Sequence, residues 1–160
     1  MIDFCTTLCF TYCNNKEAQI KICYTVIKLI FLMIRGYMKK ILIVDDEQDI
    51  VESLKFVLEN CNYTCYCAYN GEDGLKLARE IIPDLIILDV MMPRINGFKI
   101  SRLLKFDNKY KNIPILMVTA RSQEEDKLIG EETGADEYIT KPFDLDDVVK
   151  TVQKYLDSEN

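Results

Sequence analysis

Four short apolar runs each end in polar residues, with helical periods between them. Ile41-Leu42-Ile43-Val44 leads into Asp45-Asp46, and Leu85-Ile86-Ile87-Leu88 into Asp89. Ile115-Leu116-Met117-Val118 leads into Thr119, and the shorter Tyr138-Ile139-Thr140 into Lys141-Pro142. Apolar runs this short, without alternation, are expected of strands buried on both faces in a parallel sheet covered by helices. Ligand chemistry on such sheets sits outside the carboxyl ends of the strands. The pattern therefore gathers three carboxylates, a hydroxyl and an ammonium on one rim.

From Met38 onward, strand and helix alternate five times. The strands are expected at about 40–45, 63–67, 84–89, 113–118 and 136–140, the second being less apolar, as an edge strand is. The first helix turns Ile50, Leu54, Val57 and Leu58 inward at helical spacing. The second starts near Gly71, turns Leu75, Ala78 and Ile82 inward, and stops before Pro83. The third follows Asn96-Gly97 and buries Ile100, Leu103 and Leu104. A fourth, in 122–132, offers only Leu128 and Ile129 to a core, and so few contacts suit either a movable element or a merely exposed helix. The fifth opens at Asp144, a good N-cap, with Leu145, Val148, Val149, Val152 and Leu156 on one face. Alternation with short connections implies an α/β fold, a doubly wound five-stranded parallel sheet with right-handed crossovers.

The first 37 residues stand apart. They carry a charge of +2 against −8 for the remainder, and hold four of the seven Cys. Ile20–Ile34 is apolar but shorter than the ~20 residues a transmembrane span needs, and Lys28 would sit near its centre. Cys5, Cys9 and Cys13 recur every four residues but lack a fourth metal ligand, so they read as one face of a short helix or as no structure. Met38-Lys39-Lys40 looks like a natural start, which makes 1–37 a leader outside the fold and 38–160 the domain. The alternative is an amphipathic tail that touches a membrane or a partner.

Composition narrows the chemistry. The net charge of −6 argues against direct nucleic-acid binding. An odd number of Cys, with no regular framework and no secretory signature, reads as reduced thiols of a cytoplasmic protein. The chain has no His, which excludes His-activated nucleophiles and Cys/His zinc sites. A phosphohistidine donor must then belong to another molecule. Gly-x-x-x-x-Gly-Lys and Gly-x-Gly-x-x-Gly loops are both missing. The second acid that aspartate-based phosphohydrolases place two residues on is replaced by Met91.

Asp45, Asp46 and Asp89, crowded together, would repel and raise one another's pKa. A hard divalent cation resolves this, and Mg²⁺ takes one or two carboxylates, keeps waters and accepts phosphate oxygens. Lys141 could pair with a carboxylate or a phosphoryl oxygen, and Thr119 offers a hydroxyl. Carboxylates can serve as nucleophiles through acyl phosphates. Asp89 is the candidate, alone at the end of the central strand, while Asp45 and Asp46 form a pair suited to holding metal. A lone Asp at a strand end is most often a helix cap. Four such sites on four strands are hard to explain that way.

These residues resemble a family. Lys39–Glu47, Leu88-Asp89-Val90-Met91-Met92-Pro93, Asn96-Gly97, Val118-Thr119-Ala120 and Gly134–Phe143 are similar, in order and spacing, to the receiver domain of bacterial two-component response regulators. The resemblance covers about 39–157 and implies a (βα)5 flavodoxin-like receiver of the single-domain type. It implies Asp89 as phosphoacceptor, with Asp46, Asp89 and the backbone carbonyl of Met91 on Mg²⁺ and Asp45 acting through water. Lys141 would hold phosphoryl oxygens, Thr119 would swing onto them, Tyr138 would follow inward, and Lys141-Pro142 would be cis. Met91 and Arg121 would flank the route of the hydrolytic water and set the phosphate lifetime. The donor would be a sensor histidine kinase.

The leading expectation is a switch that catalyses its own aspartyl phosphorylation and dephosphorylation but acts mainly as a regulator. It would present the face of the fourth helix, fifth strand and fifth helix to a downstream protein target. One alternative is a phosphorelay intermediate that passes the phosphoryl group to another histidine. Another is the receiver part of a winged-helix DNA-binding regulator, whose receivers Gly134–Phe143 resembles. That likeness concerns ancestry and a surface for a phosphorylation-dependent homodimer, not contact with DNA.

Overall fold

The computed structural model describes residues 38–120 and 134–156. Each apolar run becomes a strand: β1 (Lys40–Val44), β2 (Thr64–Ala68), β3 (Leu85–Asp89), β4 (Ile115–Thr119) and β5 (Glu137–Thr140). Four helices are described: α1 (Gln48–Asn60), α2 (Gly71–Ile81), α3 (Gly97–Lys105) and α4 (Leu145–Leu156). The expected helix in 122–132 lies outside the described residues, so α4 is the helix expected to open at Asp144. The leader 1–37 also lies outside them. No described helix is long and apolar enough to cross a membrane.

All strand pairs are parallel, in the order β2-β1-β3-β4-β5. Strands β1, β3 and β4 are buried along nearly their whole length, while β2 and β5 are only partly buried, as edges are. Successive side chains of a strand point to opposite faces, so each central run feeds two cores. Leu42, Val44, Ile86, Leu88 and Met117 pack with Ala78 of α2 and Ile100 and Leu104 of α3. Ile41, Ile43, Leu85, Ile87, Leu116 and Val118 pack with Leu54 and Leu58 of α1 and Val148 and Val152 of α4. This two-sided burial is why these strands read as unbroken apolar runs.

The helix starts follow local polar chemistry. The side chains of Asn70 and Asn96 accept from the backbone N–H groups of Asp73 and Lys99 and cap α2 and α3. Asp144 accepts from the N–H of Asp146 at the start of α4, where the sequence placed it.

Two core assignments need correction. Ile82, expected inward, is 45% exposed. The helix ends at Ile81 because Pro83 cannot continue it, and Ile82 takes a left-handed conformation (φ 48°) that turns its side chain out. Leu103 is 42% exposed. Ile100 and Leu104, four residues apart, define the buried stripe of α3, and Leu103 sits a helical step to its side.

Candidate functional site

The strand register brings the expected residues to one rim. Val44 pairs with Leu88, and Asp89 with Val118, so Asp45, Asp89 and Thr119 follow one another across the carboxyl end of the sheet. Thr119 pairs with Thr140, and its carbonyl accepts from the N–H of Lys141 at 2.7 Å. Lys141 is thereby fixed at the same level, and the Lys141-Pro142 bond is cis.

The carboxylates converge. Asp45, Asp46 and Asp89 each place an oxygen within 4.8 Å of the others. Asp45 and Asp89 are each only 3% exposed, whereas Asp46 faces solvent. Asp45 accepts from the N–H of Glu47 at 2.9 Å, and Asp89 from the N–H of Met91 at 2.7 Å. These bonds fold each side chain back over the turn that follows its strand. The side chain of Met91 lies exposed beside Asp89. Thr119 is fully buried at the end of β4, and Tyr138 is half-buried on β5 against the α2–α3 core.

One ammonium meets this group. Nζ of Lys141 lies 2.9 Å from Asp45, 3.0 Å from Asp89 and 2.8 Å from Glu47. Burial works against its charge, but hydrogen bonds to Glu47, Asp45 and Asp89 outweigh that and hold its pKa above the ordinary lysine value. Asp89 is raised above the usual carboxylate range. Burial is the main cause and the charge of Asp45 adds to it, while Lys141 and the N–H of Met91 act in opposition. Glu47 is the member that the sequence reading left as a flank of the motif. Its signal was its place two residues after Asp45, at the mouth of α1. Arg121 lies outside the described residues.

Gly97 sets how closely α3 approaches. A Cβ there would fall 2.2 Å from the carbonyl oxygen of Asp89, and the N–H of Gly97 donates to Val90. Only glycine lets the helix begin against the end of β3.

Two buried acids, an exposed one and a lysine at the carboxyl ends of parallel strands, with a hydroxyl beside them, make a donor set able to hold an anion together with a cation. Comparison with known proteins gives the family. The family model described as the response regulator receiver domain matches residues 41–153. The chain belongs to this family, whose members act in phosphorylation-dependent signalling. Chemotaxis protein CheY4 of Vibrio cholerae is 34% identical with a TM-score of 0.70, over 74% of this chain and 99% of that one. Response regulator TrrA of Thermotoga maritima, solved in complex with Mg²⁺ and BeF, is 39% identical with a TM-score of 0.66, over 74% and 100% of the two chains. DrrB of the same organism, an OmpR/PhoB homologue, is 32% identical with a TM-score of 0.69, over 77% of this chain and 54% of that one. The fold is thus the doubly wound (βα)5 fold that the sequence implied.

Proposed function

We propose that this chain is a cytoplasmic signalling switch that takes a phosphoryl group from the phosphohistidine of a sensor histidine kinase onto Asp89. The convergence of Asp45, Asp46, Asp89 and Lys141 on one rim carries this reading. Three acids facing one ammonium form a hard oxygen donor set, which suits Mg²⁺. Asp46, Asp89 and the backbone carbonyl of Met91 would hold the ion, with Asp45 joined through water. Bound there, Mg²⁺ neutralises charge on the acids and on the incoming phosphoryl oxygens.

The remaining work belongs to the chain. A carboxylate oxygen of Asp89 attacks phosphorus, an O–P bond forms, the N–P bond breaks, and the imidazole leaves with the electron pair. Lys141 follows the charge from the carboxylates to the phosphoryl oxygens. Protein groups in such transfers act by position and charge. The Thr119 hydroxyl then binds a phosphoryl oxygen and Tyr138 moves inward. This shifts a pre-existing equilibrium in the β5–α4 face, which a downstream protein reads.

The test is intact-mass measurement after acetyl phosphate treatment, with and without Mg²⁺. Wild type should gain one phosphoryl group only with the metal, and Asp89→Asn should gain none. Gain in the variant, or none in wild type, refutes the assignment. Thr119→Ala should keep the modification and lose the change in partner binding. Rapid return of the phosphoryl group to a histidine protein would instead support a relay.

A further inference from the structure

The domain from residue 38 onward is acidic, yet one stretch reverses that sign. Residues 94–111 contain Arg94, Lys99, Arg102, Lys105, Lys109 and Lys111 against Asp107 alone, a net +5, which leaves the rest of the domain at −13. Lys105 is committed to Asp136 and Lys111 to Asn108. Lys99 and Arg102 make no ion pair with a described carboxylate and stand on the outer side of α3.

Two apolar side chains lie with them. Phe106 is 75% exposed, at the C-cap of α3, and Leu103 is its neighbour one turn back. The guanidinium of Arg102 sits 5.7 Å from the centre of the Phe106 ring. Lys99, Arg102, Leu103, Phe106, Asp107 and Asn108 line an open groove of about 910 Å³. Singly exposed apolar residues are ordinary. A pair three residues apart, flanked by cations and bordering a groove, is the arrangement that receives an amphipathic helix of opposite charge.

We propose that the outer side of α3 is a docking surface for an acidic protein segment with apolar side chains at helical spacing. Charge complementarity selects this occupant. A short acidic peptide lies within the ~8 Å over which charges act at physiological salt, so it meets Lys99, Arg102 and their near neighbours and little else. An anionic membrane or a nucleic acid is an extended polyanion, and it also meets the acidic surface around the patch. The surface shares no residue with the phosphoryl-accepting site and leaves the β5–α4 side free for another partner.

The full chain, isotopically labelled, would be titrated by NMR with a synthetic peptide of ~15 residues bearing Glu on one helical face and Leu and Phe on the other. Amide shifts should concentrate in 97–108, and binding should weaken with salt. It should weaken about tenfold in the double variant Lys99→Glu, Arg102→Glu, and should also fall in Phe106→Ala. These residues are exposed, so circular dichroism should be unchanged, and acetyl phosphate labelling should stay at the wild-type level. Equal binding of a peptide with Lys in place of Glu overturns the proposal. So do shifts centred elsewhere, equal binding by the charge-reversed variant, self-association that accounts for the shifts, and stronger binding to phosphatidylserine vesicles.

Discussion

Asp84 and Asp136 stand at the amino rim of the sheet, and Asp45 and Asp89 at its carboxyl rim. All four border apolar strands, yet they are used differently. At the amino rim each acid closes a reciprocal pair with the start of a neighbouring strand. The carboxylate of Asp84 accepts from the N–H of Lys40 at 2.7 Å while its own N–H donates to the Lys40 carbonyl. Asp136 does the same with Ile115, accepting at 2.8 Å. Each has its own cation as well, Lys39 for Asp84 and Lys105 for Asp136. At the carboxyl rim Asp45, Glu47 and Asp89 share the single ammonium of Lys141, with Asp46 close by. The amino rim is balanced and fastens strands together. Among the described residues the carboxyl rim holds surplus negative charge, part of it buried, which a structural role does not require. An aspartate at a strand end is therefore uninformative by itself, and the local ratio of acids to cations separates the two uses.

Neutralising one acid at each rim should give the widest contrast. Asp89→Asn should reduce acetyl phosphate labelling to background, whereas Asp136→Asn should label at the wild-type rate and lose stability instead. The expected loss is about 1–2 kcal/mol, for weakened bonds to Ile115 and Lys105. Mass spectrometry and urea denaturation read the two effects. Labelling lost in both variants would erase the distinction between the rims.

Removing the cation from each rim comes next. Lys141→Ala leaves the buried carboxylates of Asp45 and Asp89 without a cation and should cost about 2–3 kcal/mol, less than a fully buried pair would because Lys141 is partly exposed. Millimolar Mg²⁺ should restore much of that loss. Lys105→Ala breaks a pair whose acid is a third exposed, and should cost about 1–2 kcal/mol and show no recovery with Mg²⁺. Thermal melts with and without the metal make the comparison.

The smallest effect is a pH dependence. Asp89 titrates higher in the folded state than its ordinary value of 3.8, so the folded protein binds the additional proton. Stability from this group is lowest above the raised pKa and increases as pH falls through it toward 3.8. Asp89→Asn should thus be more stable than wild type at neutral pH without metal, and the gap should close on acidification. Denaturant midpoints across that range, for both proteins, test the sign. A gap that widens on acidification contradicts it.

Much of this was legible in the residues. The central strands announced themselves because burial on both faces removes alternation, and the rim residues because each follows such a run. Asn96 and Asp144 mark helix starts by side-chain chemistry that acts within three residues. The failures were mostly tertiary, with Ile82 the local exception. Leu103 fits the apolar pattern of α3, but which flank of a stripe meets the sheet depends on the rotation of the helix. Ile82 follows the helical period one residue past the point where the following Pro83 ends it. Asp84 and Asp136 passed as strand residues because their partners, Lys40 and Ile115, lie 44 and 21 positions away. Glu47 likewise meets Lys141 across 94 positions.

The contact between Gly97 and Asp89 reaches beyond local packing. With no space for even a methyl group between them, the first turn of α3 and the last peptide of β3 cannot slide past each other. Any shift of that peptide must be carried into the helix as a whole, so α3 works like a lever clamped at the end of the strand.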